Sequence, residues 1–317
     1  MNTKVIIISA ALALLAMASF GYYKYEQHQR ELEQLGPTCA AMSQPCFVAT
    51  IAPLAAILNE LAVGRAEVIT MLPPGASPHT YEPKPSDLRS VMHAGAFFYV
   101  DDKLDGWAAD LPAKKKINVL SLVPEDCLLT METACCPSEH EEGGHHHDPV
   151  IDPHFWLDPC VVRNTVPQLV SILSELDPNG KDIYQANADA FREHLVDVDR
   201  QVRALVGPLK GSKVATTHPS FQYLCDEYGL DVALVVMDSP GKEPSPRQME
   251  KLAREAKEMG VKAIYSEPQI PRSAAEMLSK ASGVPLYELD PVGGCDERCD
   301  YDELILYNAQ VLAASLK

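Results

Sequence analysis

Apolar residues recur at Tyr184, Ala188, Phe191, Leu195, Val198, Val202 and Leu205. The steps alternate between four and three residues, the spacing of one face of an α-helix. They predict one continuous helix over about residues 179–206, roughly 40 Å long at 1.5 Å per residue. Asp177 is the expected cap and Pro178 suits the first turn. On either side of this stripe the pattern changes to short apolar runs alternating with helical stretches. Before it, FVAT, AEVITML, AFFYV and KINVLSL read as strands, while the stretch directly after FVAT and SDLRSVMHA read as helices. After it, KVATTH, DVALVVM, VKAIYSEP and VPLYELDP read as strands. SFQYLCDEYGL, SPRQMEKLAREAKEMG, SAAEMLSKASG and YDELILYNAQVLAASL read as the helices between and after them. Strands that alternate with helices build parallel sheets covered by helices. The chain therefore reads as α/β, long helix, α/β.

Three segments fall outside this pattern. Lys4 precedes the apolar run VIIISAALALLAMASF, a signal-peptide arrangement in which Ala16 and Ala18 supply an A-x-A cleavage site. Extended through Tyr22 and Tyr23, the run also reaches the length of an uncleaved membrane anchor with an aromatic belt. Either reading exports the rest of the chain. Residues 21–45 are polar and read as a tether. Residues 124–150 are rich in Cys, Glu, Gly and His with no hydrophobic period, and read as a long exposed loop.

The 317 residues suffice for two lobes with a sizeable core. The net charge of -17 argues against nucleic acid as a partner, since phosphate binding needs a basic face. Nine cysteines in an exported chain permit disulfides, and the odd number leaves one thiol over or pairs it between chains. The pairing does not follow from the sequence. Adjacent Cys135 and Cys136 suit either soft metal ligands or a loop disulfide.

The histidines divide into two groups. His140, His145, His146 and His147 crowd into the acidic, glycine-containing tract EHEEGGHHHD. His79 lies after the strand AEVITML, His154 sits in IDPHFWLDP, His218 ends KVATTH, and Asp290 ends VPLYELD. Ligands of open α/β sheets collect at the carboxyl ends of strands. Three imidazoles and a carboxylate brought together there are good zinc ligands; iron, copper or nickel also fit imidazole, an oxygen-rich set would favour manganese, and three histidines lean towards zinc. The plainer alternative is that each histidine only ends a strand or caps a turn.

The segments GASPHTYEPKPSDL, DPHFWLDP, TTHPSFQYL, EPQIP and ELDPVGG, in this order, resemble the zinc/manganese solute-binding receptors of bacterial ABC importers, the ZnuA/TroA type. The resemblance runs from about Phe47 to the C-terminus. It implies two α/β lobes, each a parallel sheet flanked by helices, joined by one rigid backbone helix with a metal between them. It implies His79, His154, His218 and Asp290 as metal ligands, Asp290 being the position that varies among zinc members. His218 stands where manganese members carry glutamate, which points to the zinc branch. The histidine tract lies where zinc members carry an auxiliary metal loop, so His140, His145, His146 and His147 are expected to collect zinc or sense its excess. Some relatives carry a second-lobe disulfide, but the strand KAIYSEP lacks a cysteine for it.

The expected organisation is a signal peptide or anchor at residues 1–24 and a tether at 25–45. An N-terminal lobe at 46–177 carries the loop 124–150. The backbone helix at 178–206 and a C-terminal lobe at 207–317 complete it. The expected function is extracytoplasmic capture of Zn2+ as transported ligand, as a monomer, for an inner-membrane ABC permease, without catalysis. The alternatives are a manganese or iron receptor of the same type and a zinc hydrolase with Glu267 as base, although H-E-x-x-H is absent. Phe155 and Trp156 are expected to wall the site. Tyr223, Glu267, Glu82 and Asp158 are candidate partners of the metal-bound rings. His28, His93 and His194 are expected to be structural.

Overall fold

The computed structural model describes residues 39, 42, 44–131, 150–237, 241–294 and 298–317. The first sheet holds β1 (Cys46–Ala49), β2 (Glu67–Thr70), β3 (Ala96–Tyr99) and β4 (Lys116–Asn118), all parallel, in the order β2-β1-β3-β4. The second holds β5 (Lys213–Thr216), β6 (Asp231–Val235), β7 (Ala263–Ser266) and β8 (Leu286–Glu288), parallel, in the order β6-β5-β7-β8. The two orders are the same. In each, the chain crosses from the first strand to one side and then returns to the other. The crevice at that reversal is where ligands of such sheets bind.

The crossover and flanking helices are α1 (Ala52–Ala62), α2 (Pro85–His93), α3 (Pro159–Leu176), α4 (Lys181–Val206), α5 (Gln222–Tyr228), α6 (Pro246–Met259), α7 (Ser273–Ser282) and α8 (Tyr301–Ser315). Helix α4 is the predicted stripe. Its buried residues are Tyr184, Ala188, Phe191, Leu195, Val198, Val202 and Val206. The stripe thus ends on Val206, while Leu205 is only half-buried. The helix packs against α3 and α1 of the first half and α8 of the second, with Phe191 edge-on to Tyr301 at 6.2 Å.

Alternation within the strands divides the cores. Phe47, Ala49 and Phe98 join Val214, Ala263, Tyr265 and the α4 stripe in one cluster spanning both lobes. Val48 and Phe97 point to a separate cluster behind the first sheet. Ala215 and Ile264 do the same behind the second. Successive side chains of a strand face opposite ways, so each sheet lends one face to a shared core. Helices of different lobes packed on one rod leave little freedom for the lobes to turn independently.

Several elements differ from the sequence reading. Asp177 opens a short 3-10 turn, Pro178–Gly180, ahead of α4. Its carboxylate is held chiefly by Arg65 at 2.5 and 2.7 Å and also accepts from the Tyr184 hydroxyl at 2.9 Å. Helix α3 is additional to the predicted elements. Asp158 caps it, accepting from the Cys160 and Val161 amides at 2.7 and 3.4 Å, and Pro159 fills its first turn. KINVLSL yields only a three-residue strand before a 3-10 turn. The loop of residues 124–150 begins with ordered chain: a 3-10 turn at Glu125–Cys127 and an antiparallel bridge from Thr130 to Ile151. Cys39 and Cys46 form a disulfide that the sequence does not predict. The segments 1–24 and most of 25–45, with His28, and Cys135, Cys136, His140, His145, His146 and His147 lie outside the described residues.

A shared core sets an expectation for stability. Phe191→Ala should cost about 3–5 kcal/mol. Because both lobes rest on that ring's helix, urea unfolding should remain one transition. Far-UV circular dichroism and tyrosine or tryptophan fluorescence should trace the same curve; two separated transitions would show that the lobes are independent.

Candidate metal centre

His79, His154 and His218 come from three distant segments and meet between the lobes. One ring nitrogen from each lies within 4.8 Å of the others. The ring centroids are 4.8 Å apart for His79 and His218, 5.4 Å for His154 and His218, and 6.0 Å for His79 and His154. Tetrahedral zinc, at about 2.0–2.1 Å from each nitrogen, places ligating nitrogens about 3.4 Å apart. Small ring movements therefore close the three around one ion.

Each ring is placed by its local sequence. His79 lies in the proline-rich connection after β2, where the Pro78 carbonyl accepts from the Trp107 indole at 2.7 Å. It is half-buried and is the ring nearest solvent. His154 is 4% exposed. Asp152 accepts from both its amide, at 3.0 Å, and its Nδ1, at 2.7 Å. That fixes the proton on Nδ1 and leaves Nε2 for a metal. His218, also 4% exposed, lies just after β5 beside the reversal point of the second sheet. The Thr217 amide and hydroxyl both donate to the Tyr265 carbonyl of β7, at 2.9 and 2.8 Å, and hold the strand end in place.

Burial, reinforced by His154, pushes His79 down to about 3. Burial, with His154 and His79 adding to it, holds His218 well below its ordinary range. Both rings are therefore neutral and ready to donate lone pairs at neutral pH. Glu267 lies at the end of β7 with Oε1 3.9 Å from His218 Nδ1 and accepts from Ser220 at 2.6 Å. Burial is the main cause that moves its carboxyl up to about 8, with Asp290 adding to the rise against the Ser220 hydrogen bond.

The cavity beside the rings is lined also by Ser77, Trp156, Glu267, Gln269 and Val292, and measures about 10 Å³. That is about one water-sized sphere. It has room for a small ligand such as an ion. Trp156 walls it, donating to the Pro291 carbonyl at 2.8 Å across the lobes. Phe155 does not line it; it backs Trp156 edge-on at 5.9 Å.

Asp290 is not brought into the imidazole group. It is 1% exposed. Its Oδ1 accepts from Gln269, Val292 and Gly293 at 2.8, 3.0 and 2.9 Å, and Oδ2 pairs with Arg298 at 3.2 Å. Three other expected partners have different tasks. Tyr223 accepts from the Leu129 amide at 3.0 Å, Asp158 caps α3, and Glu82 is exposed without a bond to any of the rings. His93 bonds to the Arg89 carbonyl and His194 pairs with Asp302, and neither joins the three rings. Sequence reasoning missed Asp152, although its place two residues before His154 was the available signal.

A three-imidazole pocket between two parallel-sheet lobes on one helix is the arrangement of a metal-binding solute receptor. Residues 47–315 match the family described as ZnuA, zinc-uptake complex component A, periplasmic, and the chain belongs to that family. The zinc-binding protein AdcA of Streptococcus pyogenes is 28% identical over 264 residues, covering 79% of this chain and 51% of AdcA. The chain thus spans about half the length of that relative. The high-affinity zinc uptake system protein ZnuA of Bacillus subtilis is 27% identical over 280 residues, covering 85% of this chain and 86% of that protein. A crystal structure of ZnuA superposes with a TM-score of 0.72 at 25% identity, covering 87% of this chain and all of that one.

Two measurements probe the centre. Asp152→Ala should weaken zinc binding about 10–100-fold by releasing His154, as read by competition with a chelating dye. The second concerns the metal-free fold. Below the ordinary histidine value of 6.5, the unfolded chain protonates His79 while the folded chain does not. Stability should therefore fall with pH through the window from 6.5 down to about 3. Urea midpoints should show the wild type losing ground to His79→Gln across the upper part of that window; parallel curves would contradict the assignment.

Proposed function

We propose that this chain captures one Zn2+ ion outside the cytoplasm with His79, His154 and His218 and passes it to an inner-membrane ABC permease as a monomeric receptor. The observation that carries the reading is the meeting of three imidazoles, two of them held neutral, around a cavity of about 10 Å³. Neutral nitrogen ligands suit zinc, and neither of those two rings has to be deprotonated before the ion enters. The small volume beside the rings supports ion binding over hydrolysis. The imidazole set supports zinc over manganese.

Capture is ligand exchange. The ion arrives hydrated and meets His79 first, since that ring stands at the rim. His154 and His218 then replace further waters. Release reverses the order, and His79 is the ring best placed to leave first. The shared core keeps the lobes in register meanwhile.

The histidine tract is assigned an auxiliary part. His140, His145, His146 and His147 collect zinc for the pocket, a reading supported by the chain on either side of them. The Met131 amide donates to the Val150 carbonyl at 2.7 Å. The Asp152 amide donates to the Leu129 carbonyl at 2.9 Å while its carboxylate orients His154.

The test is a competitive titration of the metal-free, full-length chain with zinc against manganese. One tight zinc site that manganese does not displace is expected. His218→Ala should weaken it by more than about 100-fold, beyond what loss of an outer partner costs. A manganese preference, or no tight site, would overturn the reading.

A further inference from the structure

Asp290 lies two residues past β8 beside the imidazole pocket, yet its carboxylate is turned to other groups. Two features build that arrangement. The first is the turn of residues 291–294. Gly293 and Gly294 have φ of +60° and +84°, and a Cβ on Gly293 would lie 2.8 Å from the Arg298 carbonyl. Only glycine permits this close approach, and the Val292 and Gly293 amides point at Oδ1. The Gly294 amide donates to the Arg298 carbonyl at 2.9 Å and closes the turn. The second is Arg298 itself. It is largely buried, lies over the Tyr307 ring at 4.6 Å, and faces Oδ2.

Oδ1 already accepts three hydrogen bonds, so Oδ2 is the oxygen left for a cation. A guanidinium and a metal ion compete for it. Gln269 adds a further sign. Its Nε2 donates to Asp290, which fixes the amide orientation, and its Oε1 is buried without a donor. Gln269 also lines the cavity of the three rings. An acceptor left over at that place suits the proton of a water on the metal.

We propose that Arg298 is a specificity-determining, positioning residue: it holds Oδ2 of Asp290 away from the ion, so zinc is taken by three imidazoles and a water that donates to Gln269. The inference rests on the receptor reading above. Zinc keeps useful affinity with three nitrogen ligands and a water, whereas manganese depends on carboxylate oxygen. Withholding one carboxylate thus rejects manganese more than zinc.

The experiment uses the full-length chain in wild-type, R298M, R298K and D290N forms, with retained folding checked by circular dichroism. Zinc and manganese affinities are measured by competition, and the zinc environment by X-ray absorption. R298M should raise manganese affinity by about tenfold, the scale of a changed outer partner, and add a carboxylate to the zinc. R298K should keep the wild-type zinc-to-manganese ratio. D290N should leave zinc affinity within about tenfold and its spectrum unchanged. A D290N loss of a carboxylate ligand with a larger fall in zinc affinity overturns the proposal, as does an R298M ratio equal to wild type. Failure of the wild type to bind zinc tightly would instead overturn the receptor reading.

Discussion

The apolar stripe of α4 is the constraint on which the rest depends. Seven side chains on one face of a single helix are buried against elements of both lobes. Each sheet then has one face in a common core and one in its own. A metal pocket assembled from residues 79, 154 and 218 requires that the lobes hold a fixed relation. Ring nitrogens that must come within a few ångströms of one another tolerate little drift. The helix supplies that fixity with ordinary hydrophobic packing, and links across the pocket add to it. The Trp156 indole reaches the Pro291 carbonyl, and the Tyr301 hydroxyl donates to the Trp156 carbonyl at 2.8 Å.

Given that frame, the electrostatics of the centre come from burial. Three imidazoles packed together cannot all carry protons in a dry pocket, so His79 and His218 stay neutral. That neutrality costs the metal-free fold some acid stability and gives the metal free lone pairs. Carboxylates around the pocket are handled differently from one another. Asp152 is committed to His154, Glu267 to Ser220, and Asp290 to Arg298 and three N–H donors. The result is a group of three imidazoles with acids close by but engaged.

The parts of this arrangement that are legible in the sequence are those with a period or a strong local signal. The α4 stripe, the alternating strands and the three histidines at or after strand ends belong to this class. Helix α3 is harder to see because DPHFWLDP carries two signals at once: its histidine marks a metal motif, while Asp158 and Pro159 are a helix start. The stem at Thr130–Ile151 is lost inside a compositionally odd segment, since a single bridge has no periodicity. Asp177 has the local chemistry of a cap, but a long-range partner, Arg65, takes most of its carboxylate. Tyr223 and Phe155 lie near the right residues in sequence, yet the direction of a side chain depends on tertiary packing. Asp290 shows the same limit: its place at a strand end is visible, while the Arg298 that engages it depends on a double-glycine turn.

The two buried rings and the one at the rim are held with different firmness, and this difference bears on how such a pocket can be both tight and exchangeable. His154 is clamped by Asp152 from two directions. His218 is clamped by the strand end that Thr217 ties to Tyr265. His79 has no comparable bond to its ring among the described residues and rides on a connection stiffened by Pro73, Pro74, Pro78 and Pro83. A stiff arm with an unclamped ring leaves His79 the least constrained of the three without drawing on the shared core. On the proposed receptor reading, exchange needs the loss of only one ligand at the rim, and the lobes need not part. On that reading affinity rests with the two clamped imidazoles and the closing third, and the rate of exchange mainly with the third.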